Sequence, residues 1–490
     1  MREAAAVTEI GGTRSPVAHA LAPGREAERR DAFPHTKRPL PWFLAGFAAM
    51  VFFVPINATV LKVNVGVDSH PDRLAVIVLV LAWLWCGGDQ RALLRTRRSK
   101  LFVTAAIAYL AISITSLLLN VEQVANLGEF QFAEKQFALL VSFLVVGWFA
   151  LTALRFEDLR GFASYLIGLA VMVAIGMIVE RRTGYNVFYE WSSAILRPIA
   201  TVEPSPTSLV RSGVEGRINI VGPTLHPLAA TAMLMMVMPF ALVRMVDNAS
   251  RRSWCLNATA LALMLFAAVE TERKTAVVVP VVVVIYFACY RPRQMLRLLP
   301  LGLVVLVGLV HFASPGTLGT VLNLGAATKS SSTIHREGDF EAVVPDLLKH
   351  PVLGRGYGSV NVEQASEFHV NDNEYVDEVR AVGILGLLAY GWMILAPLAL
   401  ARSAIRKRGP TVASLTLAAS AGCLAFLVVS ALFDVMGFTE VPYLFFLMAV
   451  MTTIAAAGPE GNVVPSRELV RRLAARRPHA TAAAEAAGTG

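Results

Sequence analysis

Cations at the unexpected ends of apolar segments are the chemically informative residues of this 490-residue chain. Arg181, Arg182, Arg211, Arg217, Arg273, Lys274, Arg336 and Arg355 lie opposite the ends where most Lys and Arg cluster. A guanidinium offers a planar fork of donors that matches phosphate oxygens. Arg273 and Lys274 belong to a very short run, Glu270-Thr271-Glu272-Arg273-Lys274, between two strongly apolar segments. A snorkelling turn charge is the plain reading of such a run. Arg336 opens a stretch that continues to His350-Pro351-Val352-Leu353-Gly354-Arg355-Gly356-Tyr357-Gly358-Ser359. Gly354 and Gly356 suit a flexible turn whose amides approach an oxyanion closely. His369, Asp372, Asn373 and Tyr375 follow as a dense polar cluster leading into an apolar segment. Asp372 suits a helix N-cap. A carboxylate in that place can also take the proton of an acceptor hydroxyl, and Asn373 and Tyr375 suit holding such a hydroxyl.

These residues need elements to position them, and hydropathy supplies the elements. The chain is 55% hydrophobic and 16% charged, with mean hydropathy +0.57. A soluble domain is about 25% charged. Apolar runs long enough to cross a bilayer recur throughout. They are Pro41–Ala58, Leu74–Cys86, Leu101–Leu119, Gln136–Leu154, Gly161–Val179 and Gly222–Val246, then Trp254–Val269, Thr275–Tyr290, Leu298–Phe312, Val379–Leu400, Val412–Leu432 and Val441–Ala457. The expected fold is therefore an all-α polytopic membrane protein with about twelve transmembrane helices.

Basic turns such as Arg91–Lys100 and Arg402–Arg408 fix their side as cytoplasmic. Both termini then lie inside, with residues 1–40 and 458–490 as cytoplasmic tails around a 41–457 membrane domain. The segments 180–221 and 313–378 become external loops. The second, of roughly sixty-five residues, is expected to carry amphipathic helices, with Phe340, Val343, Val344, Leu347 and Leu348 on one apolar side.

Composition also excludes. The net charge of +9 comes mostly from cytoplasmic turns and tails, so it reports orientation and argues against nucleic-acid binding. The four cysteines form no CxxC pair, and no His/Cys cluster has metal-ligand spacing, so neither a metal nor another cofactor is expected. His226, before Pro227, suits capping or packing; His311 and Asp434 suit the interface. A carrier would show two similar halves and ionisable groups along its middle. This chain shows no internal repeat, and its unusual charges sit at one face. A transporter or flippase of lipid-linked sugars is therefore the alternative reading.

HPVLGRGYGS followed by DNEYVDEVRAVGILGLLAY resembles the signature of the O-antigen ligase and exopolysaccharide polymerase family of bacterial membrane glycan transferases. Arg336 and Phe340 are similar to the family's arginine and following aromatic. TERKTAVVV, with Arg273, and GRINIVGPTLHP, with Arg217, Gly222, His226 and Pro227, resemble two further family segments. The ligases carry a histidine where this chain has Asp372, with His369 three residues upstream, which favours polymerase over ligase.

The resemblance implies an enzyme of the bacterial inner membrane that polymerises or transfers an undecaprenyl-pyrophosphate-linked glycan on its extracytoplasmic face. It implies no metal and inversion at the anomeric carbon. Arg273, Arg336 and Arg217 would hold the pyrophosphate. Asp372, with His369, would act on an acceptor glycan or lipid. Asn373, Tyr375, Gly354 and Gly356 would position acceptor or loop.

Overall fold

Leu, Val, Ala, Ile and Phe dominate the long runs, and in a membrane only a helix satisfies the backbone of such a run internally. The computed structural model describes residues 31–62, 69–86, 99–206, 219–247, 250–298, 347–359 and 373–459, with single positions at 300, 302, 308, 344 and 345. It is mostly helical. The helices are α1 (Pro39–Phe53), α2 (Pro71–Cys86), α3 (Ser99–Leu119), α4 (Val121–Asn126), α5 (Phe130–Ala153), α6 (Asp158–Thr183) and α7 (Val187–Leu196). They continue as α8 (Pro227–Asp247), α9 (Arg251–Glu270), α10 (Thr275–Tyr290), α11 (Glu374–Lys407), α12 (Pro410–Ser430) and α13 (Glu440–Ala457).

Eight of these, α3, α5, α6, α8, α9, α11, α12 and α13, are long and apolar enough to cross a membrane. α1 and α10 are apolar but shorter, at 15 and 16 residues. The chain has the architecture of a helical, multi-pass membrane protein. Most of the expected span Leu298–Phe312 and most of the 313–378 loop lie outside the described residues.

α8 and α13 form the centre, with 89% of their apolar windows buried, against 33% for α3 and α9. The exposed faces of those two helices are left for lipid. α8 is lined by Met233, Met235, Met236 and Met238, unbranched side chains that fill irregular gaps between helices. Aromatic contacts join α13 to its neighbours: Tyr443 meets Phe47 of α1 at 5.0 Å and Phe143 of α5 at 4.7 Å, both edge-on.

Two features depart from the expected pattern. The first expected span is interrupted: its α-helix ends at Phe53, and a single 3-10 turn, Ile56–Ala58, closes it. Residues Thr59–Leu61 form strand β1, which pairs antiparallel with β2 (Ala200–Val202), Val60 opposite Thr201. Short β-branched runs suit such a ribbon, and pairing satisfies backbone groups that a loop at the bundle end would leave bare. The 180–221 loop thus contains α7 and β2.

The second departure is in α11. Gly383 has φ 68° and ψ −169°, which breaks the helix. Tyr375 and Tyr390 would stand about 22 Å apart along a straight helix. Their ring centroids are 6.1 Å apart. The first part of α11 therefore lies across the end of the bundle, and the second part descends through it.

Candidate functional site

The ends of α6, α9 and α10 meet at the run 270–274. Glu270 closes α9 with its side chain buried. Thr271 Oγ1 lies 3.0 Å from Thr231 Oγ1 of α8, tying the tip to the central helix. Glu272 takes φ +57°, a left-handed conformation uncommon outside glycine. It is held there by charge. Arg181 Nε donates to Glu270 Oε2 at 3.1 Å, and its Nη2 donates to Glu272 Oε1 at 2.9 Å. Arg182 Nη2 reaches Glu270 Oε1 at 3.0 Å.

Two of the cations that the sequence left in search of an anion are therefore matched within the protein. The partners are about ninety residues away in sequence, which is why charge patterning along the chain did not reveal them. Arg273, the next residue, turns the other way. Its Nη2 donates to Asn219 Oδ1 at 3.1 Å.

Asn219 begins the segment 219–226 that feeds α8. The buried Glu180 carboxylate fixes this segment by accepting from the N–H groups of Val221 (3.2 Å) and Gly222 (2.9 Å). Asn186 caps α7 through Oδ1 and donates its Nδ2 to the Gly222 carbonyl at 2.8 Å. Tyr189 OH donates to the Thr224 carbonyl at 2.9 Å. His226 Nδ1 accepts from the Leu228 N–H at 3.2 Å, and its ring lies against Phe438 at 5.6 Å. Burial, and then the positive charge of Arg273, push its imidazole down to about 4. His226 is neutral at physiological pH and serves as a cap and a packing surface.

The turn 350–359 fits into the break in α11. Breaking a helix strands carbonyls before the break and amides after it. Here the turn takes both. Arg355 and Gly356 donate N–H groups to the Arg380 and Ala381 carbonyls, each at 3.0 Å. Ile384 and Leu385 donate to the Pro351 and Val352 carbonyls at 3.0 and 3.3 Å. Ser116 Oγ donates to the Leu353 carbonyl at 2.6 Å. A Cβ at Gly354 would lie 2.4 Å from the Ala381 carbonyl oxygen. Arg355 is buried 3.8 Å from Glu129 Oε1.

The expectation of a flexible turn offering free amides to an oxyanion is corrected accordingly. The amides of Gly354, Arg355 and Gly356 are already bonded, to His350, Arg380 and Ala381. Gly354 and Gly356 serve close backbone approach.

Asn373 caps α11, its Oδ1 accepting from the Tyr375 N–H at 3.0 Å, so the expected N-cap moves one residue from Asp372. Tyr375 OH donates to the Leu427 carbonyl at 2.7 Å. Both side chains are thus engaged with the protein. Asp372, His369, Arg336 and Arg217 lie outside the described residues.

The structure adds acids that sequence reasoning passed over. Glu374 and Glu378, four apart and so on one helix face, are both buried under the first part of α11. Tyr109 OH of α3 donates to Glu378 Oε1. The Met436 N–H donates to Glu374 Oε2 at 2.9 Å. The signal was the E-x-x-x-E spacing in a first helical turn, which also suits a solvated helix end. The α12–α13 connection, 431–439, meets both poles: Met436 bonds Glu374, and Phe438 packs on His226. The Arg273 tip and the carboxyl pair therefore share one end of the bundle. Among the described residues no His/Cys/Asp/Glu group is arranged to hold a metal ion.

In comparisons with known proteins, the chain matches no family model and no curated protein.

Proposed function

We propose that this chain is a membrane glycosyltransferase that moves a glycan from a lipid-linked pyrophosphate to an acceptor hydroxyl. The working face is the bundle end that carries Arg273. The observation behind the reading is electrostatic. Arg181 and Arg182 pair with Glu270 and Glu272 at the tip that also carries Arg273 and Lys274, so four cations gather at one end of the bundle. A pyrophosphate leaving group is the matching anion, and preorganised donors at such a group contribute most of the catalysis.

In this reading Arg273, with Arg336 and Arg217, holds the pyrophosphate oxygens. Asp372, with His369 nearby, orients or deprotonates the acceptor. The acceptor oxygen forms the new bond to the anomeric carbon as the carbon–oxygen bond to phosphate breaks. The electron pair leaves with the pyrophosphate, and the anomeric carbon inverts. The same reading takes twelve spans, termini in the cytoplasm, a bacterial inner membrane and an undecaprenyl carrier, polymerase in preference to ligase.

The test uses the full chain in nanodiscs with a lipid-linked oligosaccharide and no ATP. Lengthening or transfer of the glycan is the expected result, with Arg273→Ala reducing it at least a hundredfold, by about 3 kcal/mol. A glycan whose covalent structure never changes, although the lipid crosses the bilayer, identifies a carrier and ends the proposal.

A further inference from the structure

A helix that buries two carboxyl groups four residues apart is an arrangement that needs a reason. Glu374 and Glu378 are 2% and 4% exposed. Among the described residues no Lys, Arg or His pairs with either. Arg380 on the same helix is held by Asp377 at 3.2 Å.

Among the described residues, the groups that face the pair come from four elements, and all are acids or phenols. Asp434 comes from the α12–α13 connection and Tyr109 from α3. Tyr357 comes from the 350–359 turn and Tyr390 from the descending part of α11. Asp377 adds a further negative charge from α11 itself.

A second observation bears on what is bound. Glu378 spends Oε1 on Tyr109, while its Oε2 is buried and takes no hydrogen bond. The Glu374 carboxyl stands within hydrogen-bonding reach of Glu378. Two ionised carboxylates so placed repel, whereas one proton between them makes a short, strong bond. Asp434 is half-buried and lies against Glu374, with its Oδ1 accepting the Gly437 N–H at 3.1 Å. Its partial exposure links the buried pair to the surface at this end of the bundle.

We propose that Glu374, Glu378 and Asp434 form a proton-binding site, the two glutamates sharing one proton and Asp434 exchanging it with the outside. The site is independent of the reaction assigned above, so either can fail alone. Protons of a coupled pair belong to the pair and not to one residue.

Infrared difference spectroscopy on the full chain in nanodiscs, titrated between about pH 5 and 9, tests this. A carboxylic-acid carbonyl band at neutral pH, absent from Glu374→Gln and from Glu378→Gln, is the expected result. Asp434→Asn removes a neighbouring negative charge, so the band disappears at a lower pH, by about one unit. Tyr109→Phe keeps the fold's shape while deleting the donor to Glu378, and it must shift the band. This variant keeps the test alive if a glutamine variant does not fold. A spectrum with no such band overturns the proposal, as does a band that neither Tyr109→Phe nor Asp434→Asn alters. A band abolished by replacing choline with sodium overturns it in favour of a cation site. Transferase activity has no part in any of these readings.

Discussion

Arg355 donates its backbone N–H to the carbonyl of Arg380 at 3.0 Å, and this bond joins the 350–359 turn to a helix that Gly383 has opened. The geometry leaves no room for side chains at the contact. At Gly383 a Cβ would stand 2.4 Å from the Val352 carbonyl oxygen, on a backbone conformation reserved for glycine. Gly383→Ala and Gly354→Ala are each expected to cost at least about 3 kcal/mol. Gly391→Ala, whose Cβ would meet nothing within 4 Å, is the matched control and is expected to melt like the wild type. Fluorescence-detected size exclusion after heating separates these outcomes.

The clamp on the 270–274 tip is unequal. Arg181 is 21% exposed and bridges two carboxylates, whereas Arg182 is 64% exposed and meets one. Removing Arg181 takes the less exposed of its two cations from the buried Glu270, so Arg181→Ala is expected to destabilise by about 2 kcal/mol. Arg182→Ala is expected to cost less than about 0.5 kcal/mol. A double-mutant cycle of Arg181→Ala with Glu270→Gln measures the coupling; a value near zero for that pair refutes the clamp.

His226 links stability to pH. Its folded imidazole titrates near 4 and an unfolded one near 6.5. Between those values the unfolded chain binds a proton that the folded chain does not. Stability must therefore fall as pH drops from about 6.5 to about 4, on the order of 2 kcal/mol for this partly exposed group. Melting temperatures of the wild type and His226→Gln across that range give the check: the variant should lose less, and equal slopes contradict the account.

A separate anchor holds the other end of the bundle. The fully buried Asp158 at the start of α6 accepts both Nη2 contacts of Arg38, at 2.7 and 2.8 Å. It also takes the N–H groups of Phe33 (3.0 Å) and Arg155 (2.7 Å). Asp158→Ala strands all of these donors, and a loss of about 3–5 kcal/mol is expected. Truncation before Pro39 should reproduce much of it. A truncated chain that melts at the wild-type temperature would show that the hook adds nothing to stability.

Much of the helical frame was legible along the chain. Thr275–Tyr290 is found at its expected bounds, and Val441–Ala457 and Val412–Leu432 are displaced by one or two residues. Apolar length alone sets such helices, because the bilayer penalises any unpaired backbone. The break at Gly383 was not legible. GILGLL reads as continuous helix, and only the docking of Pro351–Gly356 makes an interruption stable. The ribbon of β1 and β2 likewise depends on segments 140 residues apart meeting at one bundle end.

The site divides in the same way. Residue type and local spacing were enough to place Arg273 on a tight turn and to bring Gly354 and Gly356 together, since turns and short tips are local structures. What each charge does was decided by packing. Arg181 found Glu270, Arg273 found Asn219, and Glu374 met Asp434 through contacts between helices remote in sequence. Apolar periodicity tells a chain where to be helical. Electrostatic partnership acts through space, and it is set only when the helices have chosen their neighbours.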